Sequence, residues 1–197
     1  MRSGAVPIAV YLAMTLCCPT RAAAAAPAAP ASAGGARAVW KAQRVDFLYV
    51  GRTSRYSCDG LRDKVRAMLV DLGARRDPSV VALGCVGYDR GSSDPVALRL
   101  KIEFVSPAWA AAASLLRADD AAAVDARFQP FRIASDAFRN MGIGDCELVQ
   151  QFSQQILPKL TVRAVSQDIV CVPYQPSESR FLVRGEILKA LPPGAQR

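Results

Sequence analysis

Histidine is absent from all 197 residues. That removes Ser-His-Asp and Cys-His nucleophilic sites, histidine general bases and histidine metal ligands in one step. Carboxylate pairs, a lysine base or a bare thiolate remain for an enzyme that works without histidine. No acidic pair stands out, because Asp119 and Asp120 are neighbours in an alanine-rich stretch and read as a solvated turn. The chain also lacks any CxxC spacing among its six cysteines, which argues against a zinc site. The Gly142-Ile143-Gly144 triplet lacks the third glycine and the βαβ setting of a dinucleotide loop and reads as turn chemistry. No metal or cofactor is expected. Beyond the N-terminal region no apolar run is long enough to span a bilayer.

What is present begins with Met1 and Arg2, followed by an uncharged run from Ser3 to Thr20 that includes Ile8, Val10, Leu12, Met14 and Leu16. A basic start, a short apolar stretch and small residues make a secretory signal, expected over 1–25 with cleavage near Ala24 to Ala26. A retained membrane anchor fits less well, since Pro7 interrupts the run. A lipid anchor on Cys17 or Cys18 is disfavoured because Thr15 and Leu16 make a poor recognition sequence. Residues 26–38 are Ala, Pro, Gly and Ser with a single arginine, the composition of a linker. The alanine- and arginine-rich usage suits an exported protein of a GC-rich bacterium, periplasmic or secreted.

Removal of the signal leaves four cysteines, Cys58, Cys85, Cys146 and Cys171, in an oxidising compartment that favours disulfides. Each pair, separated by 27 and 25 residues, places one cysteine at the start of an amphipathic stretch and the other in an apolar run after it. A helix from Cys58 to Leu72 climbs about 21 Å, and a strand from Ser79 to Cys85 returns about 20 Å. The second cysteine therefore comes back beside the first. Cys58–Cys85 and Cys146–Cys171 are the expected clips, each closing a loop worth about 3 to 4 kcal/mol in the chain-entropy description. Cys58 at a helix N-terminus would have a lowered pKa, but in this setting it reads as structural.

The first helix carries Leu61, Val65, Met68, Leu69 and Leu72 on one face, with Ser57 as N-cap and Gly73 as its stop. The second, Cys146 to Leu157, is expected to start on Asp145 and end at Pro158. Strands are expected at Val45–Val50, Ser79–Val86, Val96–Phe104, Phe128–Ala134, Val162–Val172 (kinked around Gln167 and Asp168) and Phe181–Leu188. Val96 to Phe104 alternates apolar and polar residues, as a half-buried sheet requires. Ser106 to Ala126, rich in alanine, reads as a short helix or loop. Apolar residues recur at matching distances from Cys58 and Cys146: Leu61 with Val149, Met68 with Ile156, Leu69 with Leu157, Leu72 with Leu160. The pattern breaks once, at Val65 against Ser153. The expected fold is α+β, a β-α-β-β unit duplicated over about 43–105 and 127–190, with two main helices on antiparallel sheet in a single domain, 39–191.

The first 38 residues hold three arginines and no acid, leaving 22 of the 25 basic residues against all 17 acids in the folded part. That balance favours anionic partners without specifying nucleic acid, which is disfavoured because the basic residues are dispersed. Arg62, Lys64 and Arg66, interleaved with Asp63, read as an ordinary solvated helix face. The strongest constellation is the loop before the first helix. Arg52, Thr53, Ser54, Arg55 and Ser57 gather guanidiniums, hydroxyls and helix-start amides that could cradle phosphate or carboxylate. Asp59 in the first turn opposes an external anion. The function expected from sequence is therefore a non-catalytic binding or adaptor protein for an envelope protein. Binding of a phosphate, lipopolysaccharide or other anionic polymer through Arg52 and Arg55 is the alternative, and a histidine-independent enzyme the second one. Peptide mapping of the oxidised protein without reductant should yield Cys58–Cys85 and Cys146–Cys171 peptides, and a Cys58–Cys146 peptide would overturn the pairing.

Overall fold

The computed structural model describes residues 36–83, 96–109, 123–135 and 141–192. Strand β1 (Ala36–Gly51) leads into helix α1 (Cys58–Asp71), then β2 (Ser79–Leu83) and β3 (Val96–Trp109). After β4 (Ala123–Ala134) come a short 3-10 turn (Ile143–Asp145), helix α2 (Cys146–Gln155), β5 (Val162–Val170) and β6 (Arg180–Ala190). The six strands form one antiparallel sheet in the order β2-β3-β1-β4-β6-β5, with the two helices packed on one face. The α+β expectation is met in that form.

Helix α1 forms where its capping and periodicity point. Ser57 Oγ accepts from the Gly60 amide at 3.0 Å, and Leu61, Val65, Met68 and Leu69 are buried in one stripe. Gly73 ends it at φ +92°, a left-handed conformation in which a Cβ would also meet the Lys189 side chain at 2.9 Å. In β3, Leu98, Leu100, Ile102 and Phe104 face the helices while Arg99 and Lys101 face solvent. Across the ladder Leu98, Leu100 and Ile102 pair with Tyr49, Phe47 and Val45 of β1. These residues, with Phe152 and Ile156 of α2 and Ile133 and Val183 of the second half, make one core.

Several expected elements differ. β1 starts at Ala36 rather than Val45, and β4 at Ala123 rather than Phe128. The alanine-rich stretch expected as helix or loop is strand at both described ends, 106–109 and 123–126. Helix propensity is overridden there because Lys41 to Ala38 pair with Ser106 to Trp109, and Ala36 to Val39 pair with Ala126 to Ala123. Pro107 is tolerated because β3 pairs with β2 only as far as Glu103, so the strand needs no amide on that side. α2 stops at Gln155, with Pro158 in a following 3-10 turn. The irregularity in β5 falls between Arg163 and Ser166, with Ala164 at φ 51°, instead of at Gln167 and Asp168. Cys85 lies outside the described residues, as do 84–86 of the expected second strand and the expected signal and linker as far as residue 35.

The contact between β1 and β4 shapes everything else. Among the described residues they pair over four positions, and from that seam the described parts of the two strands extend in opposite directions. A flat ladder would put Gly51 and Ala134 about 75 Å apart at ~3.3 Å per residue. Yet Ser54 Oγ donates to the Gly144 carbonyl at 2.6 Å. The chain joining these points to the strand ends reaches at most about 47 Å. The sheet must therefore roll around the helices, so that the loops after β1 and β4 meet.

Rolling leaves the far half of β1 without β4 beside it, and α2 takes the place of a strand. The Gln155 side chain accepts from the Leu48 amide (3.0 Å) and donates to its carbonyl (2.9 Å). Gln151 does the same with the Val50 amide (2.8 Å) and carbonyl (2.9 Å). One turn earlier, Glu147 Oε2 accepts from the Arg52 and Thr53 amides at 2.8 and 3.0 Å. Four residues of helix rise about 6 Å, and two residues of strand about 6.7 Å. The two repeats are close enough to run side by side for three rungs. Replacing Gln151 with Ala removes two bonds of about 0.5 to 1.5 kcal/mol each. Urea denaturation should show a loss of about 1 to 3 kcal/mol, with faster hydrogen exchange at the Val50 amide than elsewhere in β1.

Candidate functional site

Three loops converge at the end of the sheet where α1 and α2 begin: 52–57, 141–145 and 171–179. They are joined by buried polar groups. Glu147, 7% exposed, holds the Arg52 and Thr53 amides as described. The Thr53 hydroxyl accepts from the Tyr174 amide at 3.0 Å and has the Val172 carbonyl and Glu147 Oε1 as alternative acceptors at 3.5 and 3.4 Å. Ser54 reaches Gly144 so closely that a Cβ on Gly144 would stand 2.7 Å from Ser54 Oγ.

Asp145, 4% exposed, is the second tie. The sequence suggests it as the N-cap of α2, but its carboxylate makes no cap bond there. Instead it accepts from the Gly142 amide at 2.6 Å, from Lys64 Nζ at 2.7 and 2.8 Å, and from the Tyr56 hydroxyl. Lys64 lies over the Tyr56 ring at 5.5 Å, and Tyr56 stacks at a tilt on Tyr49 with centroids 5.2 Å apart. A buried carboxylate is costly unless its lone pairs are filled, and here four donor contacts fill them. Burial first, and then the hydrogen bond and charge of Asp145, push the Tyr56 phenol well above its ordinary value of 10.0.

The residues expected to cradle an anion fall within this ring. The Arg52 and Thr53 amides already hold a carboxylate, that of Glu147. Ser57 caps α1, and Ser54 is spent on Gly144. The Arg52 and Arg55 side chains are exposed. Among the described residues the Arg52 guanidinium makes no ion pair. Cys146 and Cys171 form a disulfide, S–S 1.98 Å and Cα–Cα 5.6 Å, that fixes the start of α2 to the segment leaving β5.

Sequence reasoning did not single out Glu147, Tyr56 or Tyr174; it read Asp145 only as an N-cap, and Lys64 as part of a solvated helix face, whereas Lys64 turns inward to the buried Asp145 carboxylate. Tyr174 is conformationally unusual. The Gln175 amide donates to the Val172 carbonyl at 3.1 Å, closing a turn with Pro173 and Tyr174 at its centre. Tyr174 adopts φ 63° where glycine or asparagine is the usual occupant. For a bulky residue that conformation costs about 1 to 2 kcal/mol. The ring is nevertheless 64% exposed, so no packing gain offsets the strain. Ile143, 49% exposed, crowns the neighbouring loop.

No nucleophile with a free base emerges from this ring. Lys64 is tied to Asp145, and the Tyr56 phenol is held protonated. Among the described residues no cluster of three metal-ligating side chains forms. A cleft of about 480 Å³ lined by Arg44, Arg75, Asp77 and Glu103 lies elsewhere, over β1, β3 and the turn before β2. No protein-family model, no curated protein and no solved structure matches the chain.

Because the folded state raises the Tyr56 pKa, the stabilisation from the protonated phenol is complete below pH 10.0, the ordinary value. It is lost as pH climbs from there toward the folded-state value. Ultraviolet titration should find that Tyr56 ionises only as the protein unfolds, a step missing from Tyr56→Phe, and stability above pH 10.0 should fall more steeply than in that variant. An equal fall in both proteins would contradict this assignment.

Proposed function

We propose that this is an exported, non-catalytic binding protein whose three-loop end is the binding surface. The strained, exposed Tyr174 carries the reading. Backbone strain persists only where the surrounding structure enforces it, and such residues cluster at binding sites. Here the Thr53 hydroxyl holds the Tyr174 amide, Pro173 fixes the residue before it, and Glu147 holds Thr53. The result is an aromatic side chain fixed in place before any partner arrives, with Ile143 and Arg52 on adjoining loops. Tyrosine and arginine are the residue types that dominate interface energies.

Export is supported by the Cys146–Cys171 disulfide. A second clip, Cys58–Cys85, belongs to the same reading. So does duplication of a β-α-β-β unit, for which the sheet order speaks: β2-β3-β1 is answered by β5-β6-β4 about the β1–β4 seam. An anion-binding role for the Arg52/Arg55 loop is the second reading, favoured by the unpaired Arg52 guanidinium and opposed by the carboxylate already seated on its amides.

Tyr174→Gly tests the proposal. Relief of the left-handed strain and the added freedom of glycine nearly cancel, so stability should stay within about 1 kcal/mol of wild type. Retention of an envelope partner on immobilised protein should fall about thirtyfold, the loss expected for an interface anchor. A partner held equally by wild type, Tyr174→Gly and Ile143→Asp would show that binding lies elsewhere.

A further inference from the structure

We infer that the Cys146–Cys171 disulfide is a redox switch for the three-loop end, holding Tyr174 in its presented, left-handed conformation when oxidised and releasing it when reduced. This rests on the binding role proposed above and adds its regulation. The Tyr174 turn lies in the loop between β5 and β6, where residues 173–178 are all exposed, so core packing does not hold it. Polar contacts do. The Gln175 amide donates to the Val172 carbonyl at 3.1 Å, the Val172 amide to the buried Ser179 hydroxyl at 2.9 Å, and the Tyr174 amide to the Thr53 hydroxyl at 3.0 Å.

Of these three bonds only the last reaches another loop. Its acceptor is placed from α2, because Glu147 holds the Thr53 amide at 3.0 Å. Its donor is placed from the same turn of α2, because Cys146, the residue before Glu147, carries Cys171. Clip and clamp therefore set donor and acceptor from adjacent positions. The β5–β6 ladder fixes the base of the loop, where Val170 pairs with Arg180, but not its approach to Thr53. A left-handed conformation at a bulky residue costs about as much as one net hydrogen bond supplies. The bond to Thr53 is thus cancelled by the strain at Tyr174, and little is left over to order the loop. The disulfide makes up the difference by removing the freedom of the loop to leave Thr53. Without it the relaxed turn competes on even terms.

Switching is thiol–disulfide exchange with a dithiol. Cys146 is 2% exposed and Cys171 half-buried, so a thiolate of the reductant attacks Cys171 Sγ and Cys146 leaves as thiolate. The second thiol of the reductant then displaces Cys171. Two electrons pass to the protein, the reductant ends as its own disulfide, and its two protons are matched by those the cysteines take up. The reverse reaction, with an oxidised dithiol, forms the clip. A chain still in a reducing compartment therefore carries the surface unformed and gains it on export.

The test reads hydrogen exchange at the residue-174 and Gln175 amides of the intact chain. Mild reduction with dithiothreitol, or Cys146→Ala combined with Cys171→Ala, should accelerate both amides about tenfold, the factor that strain of this size leaves uncompensated. Asparagine adopts the left-handed conformation readily, so in Tyr174→Asn the acceleration should shrink to about threefold or less. Unchanged exchange at these amides overturns the inference, and so does equal acceleration in Tyr174→Asn, which would remove strain from the mechanism. Loss of the whole fold on reduction also overturns it, because the clip would then be a general support. Retention of the envelope partner is the second readout and should weaken about tenfold on reduction. If exchange responds as expected and retention does not, the switch stands and the binding surface proposed above is wrong. If Tyr174→Gly abolishes retention while exchange ignores the disulfide, the surface stands and the switch fails.

Discussion

The structure depends on the backbone groups of β1 that its neighbouring strand abandons. β4 accompanies β1 for four residues and then leaves it, so the amides and carbonyls of Leu48 and Val50 have no ladder on that side. Unpaired backbone groups against a core cost about as much as a lost hydrogen bond each. α2 resolves this with side chains, because Glu147, Gln151 and Gln155 repeat along the helix at nearly the interval of alternate residues along the strand. The helix can lie there only if the sheet rolls, and the rolled sheet brings the loops after β1 and β4 together. Core packing, loop convergence and the Cys146–Cys171 clip all accommodate that one docking.

The two buried acids divide the work at the loop end. Glu147 neutralises the helix-start side of the 52–57 loop, while Asp145 neutralises Lys64 and stiffens its own turn through the Gly142 amide. Each serves the protein as a bound anion would. The main-chain donors at Arg52 and Thr53, which the sequence offers as part of an anion cradle, are thus satisfied from within by Glu147. Only the side-chain part, the exposed guanidinium, is left facing outward.

Much of the fold was legible in the sequence. The face Leu61, Val65, Met68 and Leu69, the Ser57 cap, the Gly73 stop and the alternation in β3 are local signals, and local structure follows them. The Cys146–Cys171 pairing was legible from the spacing and helix-then-strand placement it shares with Cys58 and Cys85, although Pro158 shortens its helix and its return run is longer. Two things were hidden. Strand ends rich in alanine carry no periodicity, so 106–109 and 123–126 became strands through their partners alone. The roles of Gln151, Gln155, Glu147 and Asp145 depend on residues 81 to 107 positions away, and on a helix polar residues ordinarily mean solvent. Tyr174 left one trace, a proline before it and another two residues after, which marks a turn without revealing its handedness.

The side of β4 turned away from β6 has a consequence of a different kind. Asp125 gives its carbonyl to the Leu191 amide at 2.7 Å, so odd-numbered residues of β4 face β6 and even-numbered ones face the other way. Pro130 falls on that side, where an amide would otherwise be presented to any passing strand. The bulge at Ala164 likewise spoils the outer row of β5. Among the described residues the far half of β1 is closed by a helix, and β4 carries an imino acid where an amide would otherwise stand, so neither row offers a complete template to a foreign strand.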